Sequence, residues 1–437
     1  MNTAARTAFD ALIIGAGLAG STTALMLARA GWSVALVERQ PFPRHKVCGE
    51  CMAASNLPLL QSLGVGDAFN ERAGPPLRRV SLLHGGHAVT AGLPPAPGEG
   101  YTWGRALGRD SLDALLLDEA RAAGAKVFQP WAVQTIGGKA GDWHCDLRSL
   151  ESARLLPLRA RAVIDAHGSW EDLPSDRRAS RFARSGSDLF AFKASFAASR
   201  LPEGTIHVLA LEGGYGGMVV SGGGTTTVAC CVRRDRLSAL RDAAPGLRAG
   251  DGVEAWLKRE CTGVQRALLG AVREGPWLTC GPLKPGVHLS ADDGIFRIGH
   301  AAGEAHPILG EGMSMALQSA AMLCSILVDP GGSGRVPAGH AQAALQRRYK
   351  AEWRRAFVPR MRLAAAFAHL AMRPVGARAL IGLLDLWPGL LTRGAIWGGK
   401  VRAGDRPRPA TEESIQGRPF AGSMSKGPTG SNQGKSI

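Results

Sequence analysis

Six residues, Gly15-Ala16-Gly17-Leu18-Ala19-Gly20, carry the spacing G-x-G-x-x-G. That spacing suits phosphate binding. The first Gly permits a tight turn, the second lets backbone approach a pyrophosphate, and the third lets a helix pack closely on a strand. N–H groups at the helix start then point at the anion. Glycine is abundant, at 58 of 437 residues, so the pattern draws its meaning from what surrounds it. Asp10 to Gly15 is an apolar β-run, Ser21 to Ala30 reads as a helix closed by Gly31, and Val34 to Val37 reads as a second strand ending in Glu38. This is a βαβ unit. Glu38 follows Gly20 by 18 residues, where its carboxylate can accept hydrogen bonds from an adenosine ribose. An acid there disfavours a 2′-phosphate, which leaves FAD or NAD as the dinucleotide.

Two later segments bear on that choice: Arg109, opening a helix over Leu112 to Ala123, and the run from Phe296 through Gly299-His300 to Gly310-Glu311-Gly312-Met313. With these residues the chain resembles the FAD-dependent oxidoreductases that include geranylgeranyl reductases, single-component aromatic hydroxylases and flavin-dependent halogenases, over about residues 8 to 400. The resemblance implies FAD, contacted by Gly15, Ala16, Gly17, Ala19, Gly20, Glu38, Arg39, Arg44, Cys48, Gly49, Arg109, Val133, His300, Gly310, Gly312 and Met313. It also implies a helix start under the pyrimidine end of the flavin, where N–H groups near Gly312 and Met313 would stabilise negative charge. Two positions depart from the family pattern. His300 stands where the family has Asp at the ribityl chain, and His167 replaces Asp in Ile164-Asp165-Ala166-His167-Gly168-Ser169-Trp170.

The loop Phe42 to Cys51 resembles the reductase branch's Lys-x-Cys-Gly-Glu loop beside the isoalloxazine. Cys48 and Cys51 also form a C-x-x-C, readable as a redox dithiol. No second Cys/His pair lies at ligand spacing, so no metal site is expected. Tyr215 sits where geranylgeranyl reductases carry Tyr-x-Trp-x-Phe-Pro, but only the Tyr is kept. The halogenase Trp-x-Trp-x-Ile-Pro segment is absent. The chain therefore looks more like monooxygenase-type members associated with aromatic polyketide pathways. His306, Glu304 and Tyr215 are the candidate acid–base groups toward a phenol or enol. Glu304 and Glu311 read equally as caps of the following helix, and His84, His87 and His207 as surface or packing residues.

The elements that must position these groups define an α/β fold. It comprises a Rossmann-like FAD-binding domain (residues 1–78, 100–170 and 285–330) with an inserted mixed β-sheet substrate domain (79–99 and 171–284). A helical C-terminal region (331–402) and a disordered tail (403–437) follow. The short runs between Arg177 and Thr279 suggest antiparallel pairing, with a helix around Val253 to Glu260. Eight scattered cysteines read as reduced thiols, and the start lacks a secretory apolar segment, so a cytoplasmic protein is expected. No apolar run approaches the roughly 18 residues of a membrane span. Residues 341–437 hold 17 Lys and Arg against 5 Asp and Glu, which is +12 of the chain's formal +16. Without a helix-turn-helix, finger or aromatic–basic signature, nucleic acid is excluded as partner. What remains is solvent, a lipophilic small-molecule substrate, or peripheral contact with an anionic inner-membrane surface. No second dinucleotide fingerprint is visible, so NAD(P)H would act as a transient reductant. The leading expectation is hydroxylation of a lipophilic aromatic with NAD(P)H and O2. The alternatives are reduction of a C=C bond in a prenyl or polyketide lipid, and a flavin-binding protein without activity.

Overall fold

The first apolar run forms a central strand because it must be apolar on both faces: Ala11, Leu12 and Ile13 are fully buried. In the computed structural model, which describes residues 8–96, 102–168, 185–289, 291–328 and 339–399, this strand spans Ala8–Ile14. It pairs in parallel with Val34–Val37 on one side and Leu155–Asp165 on the other. Lys126–Phe128 extends the sheet at one edge, and Phe296–Arg297 adds to Leu155–Asp165, both in parallel. The first half of Leu155–Asp165 also pairs antiparallel with Asp142–Ser149, which in turn pairs with Trp131–Lys139. These two strands form an antiparallel wing that the sequence reading did not draw.

Helices Leu18–Arg29, Arg109–Ala122 and Gly312–Leu327 contribute to one buried core beside this sheet. The buried run Leu18-Ala19-Gly20-Ser21-Thr22-Thr23-Ala24 is small enough to let the first helix approach its neighbours closely.

The second sheet has the order Val272–Cys280, Leu189–Ala197, Thr226–Arg233, Gly214–Val220, Thr205–Leu211, Arg79–His84, His87–Gly92. It is not wholly antiparallel, because Thr205–Leu211 runs parallel to Arg79–His84, a strand from far earlier in the chain. One face packs on Ala249–Glu260 through Trp256 and Leu257. That helix starts a turn before the expected Val253. The other face is covered by helices Gly339–Ala371, Pro374–Leu386 and Gly389–Trp397, through Ala368, Ala371, Ala377, Ile381, Leu384 and Leu391. The C-terminal helices are thus part of the second core. The expected disordered tail lies outside the described residues.

Candidate functional site

The glycine loop divides its work between fold and ligand. Gly15 adopts φ +96°, and a Cβ there would stand 2.6 Å from the Ala166 carbonyl oxygen; a Cβ at Gly20 would stand 1.8 Å from that of Gly15. Both positions require glycine for backbone packing. Gly17 differs: a Cβ would meet only the Arg44 and Arg109 guanidinium ends, at 3.6 and 3.8 Å. The loop therefore opens onto a space edged by two cations and the start of a helix, a setting that suits a pyrophosphate. At the end of the second strand, Glu38 Oε2 accepts the Ala16 N–H at 2.8 Å and Oε1 accepts that of Gln40 at 2.9 Å. Each oxygen retains a lone pair that a ribose hydroxyl can use. Arg39 is exposed just beyond. Val133 lies on the wing, whose Trp131 N–H donates to the Glu38 carbonyl at 2.8 Å.

Of the expected cofactor contacts, Gly17, Ala19, Cys48, Gly49, Arg109, His300, Gly310, Gly312 and Met313 line one continuous cavity of about 400 Å³. The others, Gly15, Ala16, Gly20, Glu38, Arg39, Arg44 and Val133, lie outside its lining. Arg109 is buried and held bidentate by the fully buried Asp113, at 2.8 and 2.9 Å. Arg44 reaches Glu38 at 3.6 Å and Asp113 at 4.0 Å. Asp113 and Lys46 are site residues that the sequence reading missed as such, although Asp113 lies one helical turn from Arg109. Burial, then Arg109 and Arg44, push the Lys46 ammonium down to about 8. A bound anion would favour the protonated lysine. FAD affinity should therefore be greatest below about pH 8 and weaken as pH rises through it, an effect that Lys46→Met should abolish. Fluorescence titration of FAD at several pH values checks this, and an identical slope in both proteins would contradict it.

His300 follows Gly299, which has φ +58°, and its Nε2 lies 2.9 Å from where a Gly312 Cβ would be, at the start of helix Gly312–Leu327. Burial, then Lys46 and Arg109, lower its imidazole to about 3, so it is neutral near pH 7. A carboxylate in its place would face those two cations and a helix N-terminus. His300→Asp should therefore keep the fold and tighten FAD by about 1 to 2 kcal/mol. Loss of flavin from that variant by equilibrium dialysis would assign His300 another role. His167 turns back on Asp165, which accepts both its backbone N–H, at 3.2 Å, and its Nδ1. Ser169 and Trp170 lie outside the described residues.

On the side of the second sheet the fold brings two candidate acid–base groups together. Tyr215, buried on a strand of the second sheet, lines the cavity, and its hydroxyl lies 3.3 Å from Nδ1 of His306. His306 stands behind it, and the exposed His369 ring stacks edge-on against His306 with centroids 5.4 Å apart. Burial and then His369 push His306 down to about 4, while burial raises the Tyr215 phenol well above its usual value. Both are neutral near pH 7. Glu304 is buried in the cavity wall and accepts the Lys284 N–H at 3.1 Å.

Neither glutamate caps the next helix. Glu311 occupies the N-cap position without a side-chain cap bond, and Arg360 lies 3.6 Å from it. His207 also departs from expectation, since it lines the cavity and burial lowers it to about 4. Cys48 and Cys51 both line the cavity as free thiols. Much of the remaining wall is apolar: the second sheet gives Val80, Ala191, Phe192 and Met218, and the C-terminal helices give Leu363, Phe367, Leu380, Leu384, Leu390 and Leu391.

Comparison with known proteins agrees with an FAD-binding fold. The family described as FAD binding domain matches residues 8–239. Conditioned medium factor receptor 1 of Dictyostelium discoideum is 25% identical over 349 residues, covering 73% of this chain and 63% of that protein. Menaquinone reductase of Mycolicibacterium smegmatis is 34% identical over 129 residues, 29% of each chain. The chain thus spans less than two thirds of either relative. Among solved structures, the myxobacterial chondrochloren halogenase CndH superposes with a TM-score of 0.70 at 21% identity, covering 88% of this chain and 90% of that one. PqsL of P. aeruginosa in complex with 2-aminobenzoylacetate superposes with a TM-score of 0.65 at 17% identity, covering 87% and 100%.

Proposed function

Because the chain belongs to the FAD binding domain family, we propose that it is an FAD-dependent oxidoreductase that hydroxylates a lipophilic aromatic or polyketide-type substrate with NAD(P)H and O2. The observation that carries this reading is the cavity itself. It runs from the glycine loop, past His300 and Met313, to an apolar chamber whose wall includes Tyr215. Bound FAD supplies the redox chemistry, accepting electrons from NAD(P)H and delivering them to O2, so that one oxygen atom enters the product and the other leaves as water.

The chain's own residues bind, orient and exclude water. Arg44, Arg109 and Lys46 would offset the charge of the FAD pyrophosphate. Leucines from the C-terminal helices desolvate the substrate. Tyr215 is placed to accept a hydrogen bond from a substrate phenol while its own hydroxyl donates to neutral His306, and His306 adjoins the exposed His369. Tyr215→Phe preserves shape and removes only the hydroxyl. It should leave FAD content unchanged and lower kcat by roughly 100-fold. Steady-state kinetics on the flavin-loaded variant checks this, and an unchanged kcat would remove Tyr215 from the reaction.

A second reading, reduction of a C=C bond in a prenyl or polyketide lipid, draws support from the apolar chamber and from the local similarity to a menaquinone reductase. The two differ in their need for O2. NAD(P)H oxidation by the FAD-loaded protein, measured with phenols and with prenyl lipids under air and under argon, separates them. Stimulation by phenols under air alone supports hydroxylation, and stimulation by prenyl lipids under argon supports reduction. No oxidation with any donor would leave a flavin-binding protein without activity.

A further inference from the structure

The two short helices that wall the apolar chamber carry a second apolar surface on their outer side. Pro374–Leu386 and Gly389–Trp397 meet at a bend of 114°. Inward, Leu380, Leu384, Leu390 and Leu391 line the cavity. Outward, Val375, Leu386, Trp387 and Trp397 are 72%, 71%, 60% and 68% exposed. Single exposed apolar residues are ordinary on protein surfaces, but four large ones within one helical hairpin are not. Leu383 joins the two surfaces, because it lines the cavity and is also 42% exposed. A path from this patch to the cavity would pass Leu383.

The flanks decide what covers it. Arg373, Arg378 and Arg393 are exposed on the same hairpin or at its start, against the single acid Asp385, within the chain's most basic third. Exposed tryptophans and arginines on one apolar hairpin are the composition of an element that lies in the headgroup zone of an anionic bilayer. A span is ruled out for this pair by geometry. At 1.5 Å per residue, helices of 13 and 9 residues are about 20 and 14 Å long, each short of the roughly 30 Å hydrocarbon core, and the bend stops them from adding.

We infer that the hairpin Pro374–Trp397 seats the protein on an anionic lipid surface, with Leu386, Trp387 and Trp397 inserted, and that the portal beside Leu383 admits a lipophilic substrate from the bilayer. The second half rests on the function proposed above; the first half does not.

The test uses full-length FAD-loaded protein sedimented with vesicles of phosphatidylglycerol and phosphatidylcholine, or of phosphatidylcholine alone. Binding is expected to the mixed vesicles, to weaken steeply with salt, and to fall by at least about tenfold in Leu386→Asp/Trp387→Asp and in Arg373→Gln/Arg378→Gln. All four side chains are exposed, so fold and flavin content should not change. Equal binding to both vesicle types, no binding to either, or a self-associated form dissociated by the same aspartates would overturn the proposal. Sedimentation reads no chemistry, so failure here is separate from failure of the hydroxylase reading. For the portal, the aspartate variant should lose turnover of substrate presented in vesicles while keeping turnover of the same substrate in detergent. Equal loss in both would overturn substrate entry from the bilayer.

Discussion

Gly17→Val should yield a folded protein that has lost its flavin. The site's geometry separates the two effects. Gly17 has φ −69° and ψ −173°, extended backbone that a β-branched residue adopts readily, and its added Cβ meets only the ends of two arginine side chains. The chain without cofactor therefore pays little for the change. The valine methyls, however, fill the space between loop and guanidiniums where the pyrophosphate must sit, so FAD should bind at least about 100-fold more weakly, or roughly 3 kcal/mol. Gly20→Ala is the contrasting control. Its methyl would fall 1.8 Å from the Gly15 carbonyl oxygen, so it should lower Tm as well as flavin content. Flavin absorbance, circular dichroism and Tm on the two variants check this. A folded Gly17→Val protein with full flavin absorbance would remove the pyrophosphate from this loop.

Lys193→Met should destabilise the protein by about 3 to 5 kcal/mol, because it strands a buried charge. Glu50, at φ +59° and 2% exposed, ends the loop that brings Cys48 and Gly49 to the cavity. Its carboxylate is paired with Lys193 Nζ, accepts the Thr227 hydroxyl and receives the Arg109 N–H at 3.3 Å. Lys193 is only 4% exposed. The pair thus ties the cofactor loop of one sheet to a strand of the other. Without the ammonium, two hydrogen bonds must hold a desolvated carboxylate, and the loop should loosen with a loss of FAD affinity. Glu50→Gln in the Lys193→Met background removes the stranded charge and should recover much of the stability. Chemical denaturation of the four proteins of this cycle is the measurement. A Lys193→Met cost below about 1 kcal/mol would show that the pair holds nothing.

How legible each part was follows from how local its determinants are. The glycine loop, Glu38 and the helix start at Gly312 could be read because turn, strand and helix signals lie within a few residues of the groups they position. The wing is hard to read because Trp131–Lys139 breaks its own alternation at Gly137 and Gly138 and buries none of its residues fully. The Lys193–Glu50 pair joins positions 143 residues apart, and no spacing rule reaches that far. His207 reads as a surface or packing residue because a lone histidine on a strand carries no signal of the cavity it faces. The capping reading of Glu311 failed for a similar reason: Arg360, its ion partner, belongs to an expected helix, but nothing near Glu311 says that this helix packs against it. The Tyr215–His306 pair lay between these extremes. Each residue was singled out by motif position, and only the folded chain shows them in contact.

The proposed hydroxylation is tested most directly by product analysis with isotopically labelled O2. FAD-loaded protein, NAD(P)H and a converted phenolic substrate would be incubated under the labelled gas, and the product analysed by mass spectrometry. The account predicts one labelled oxygen atom per product molecule, with a matching amount of NAD(P)H consumed. Product formed without label, or formed equally well in the absence of O2, would contradict it.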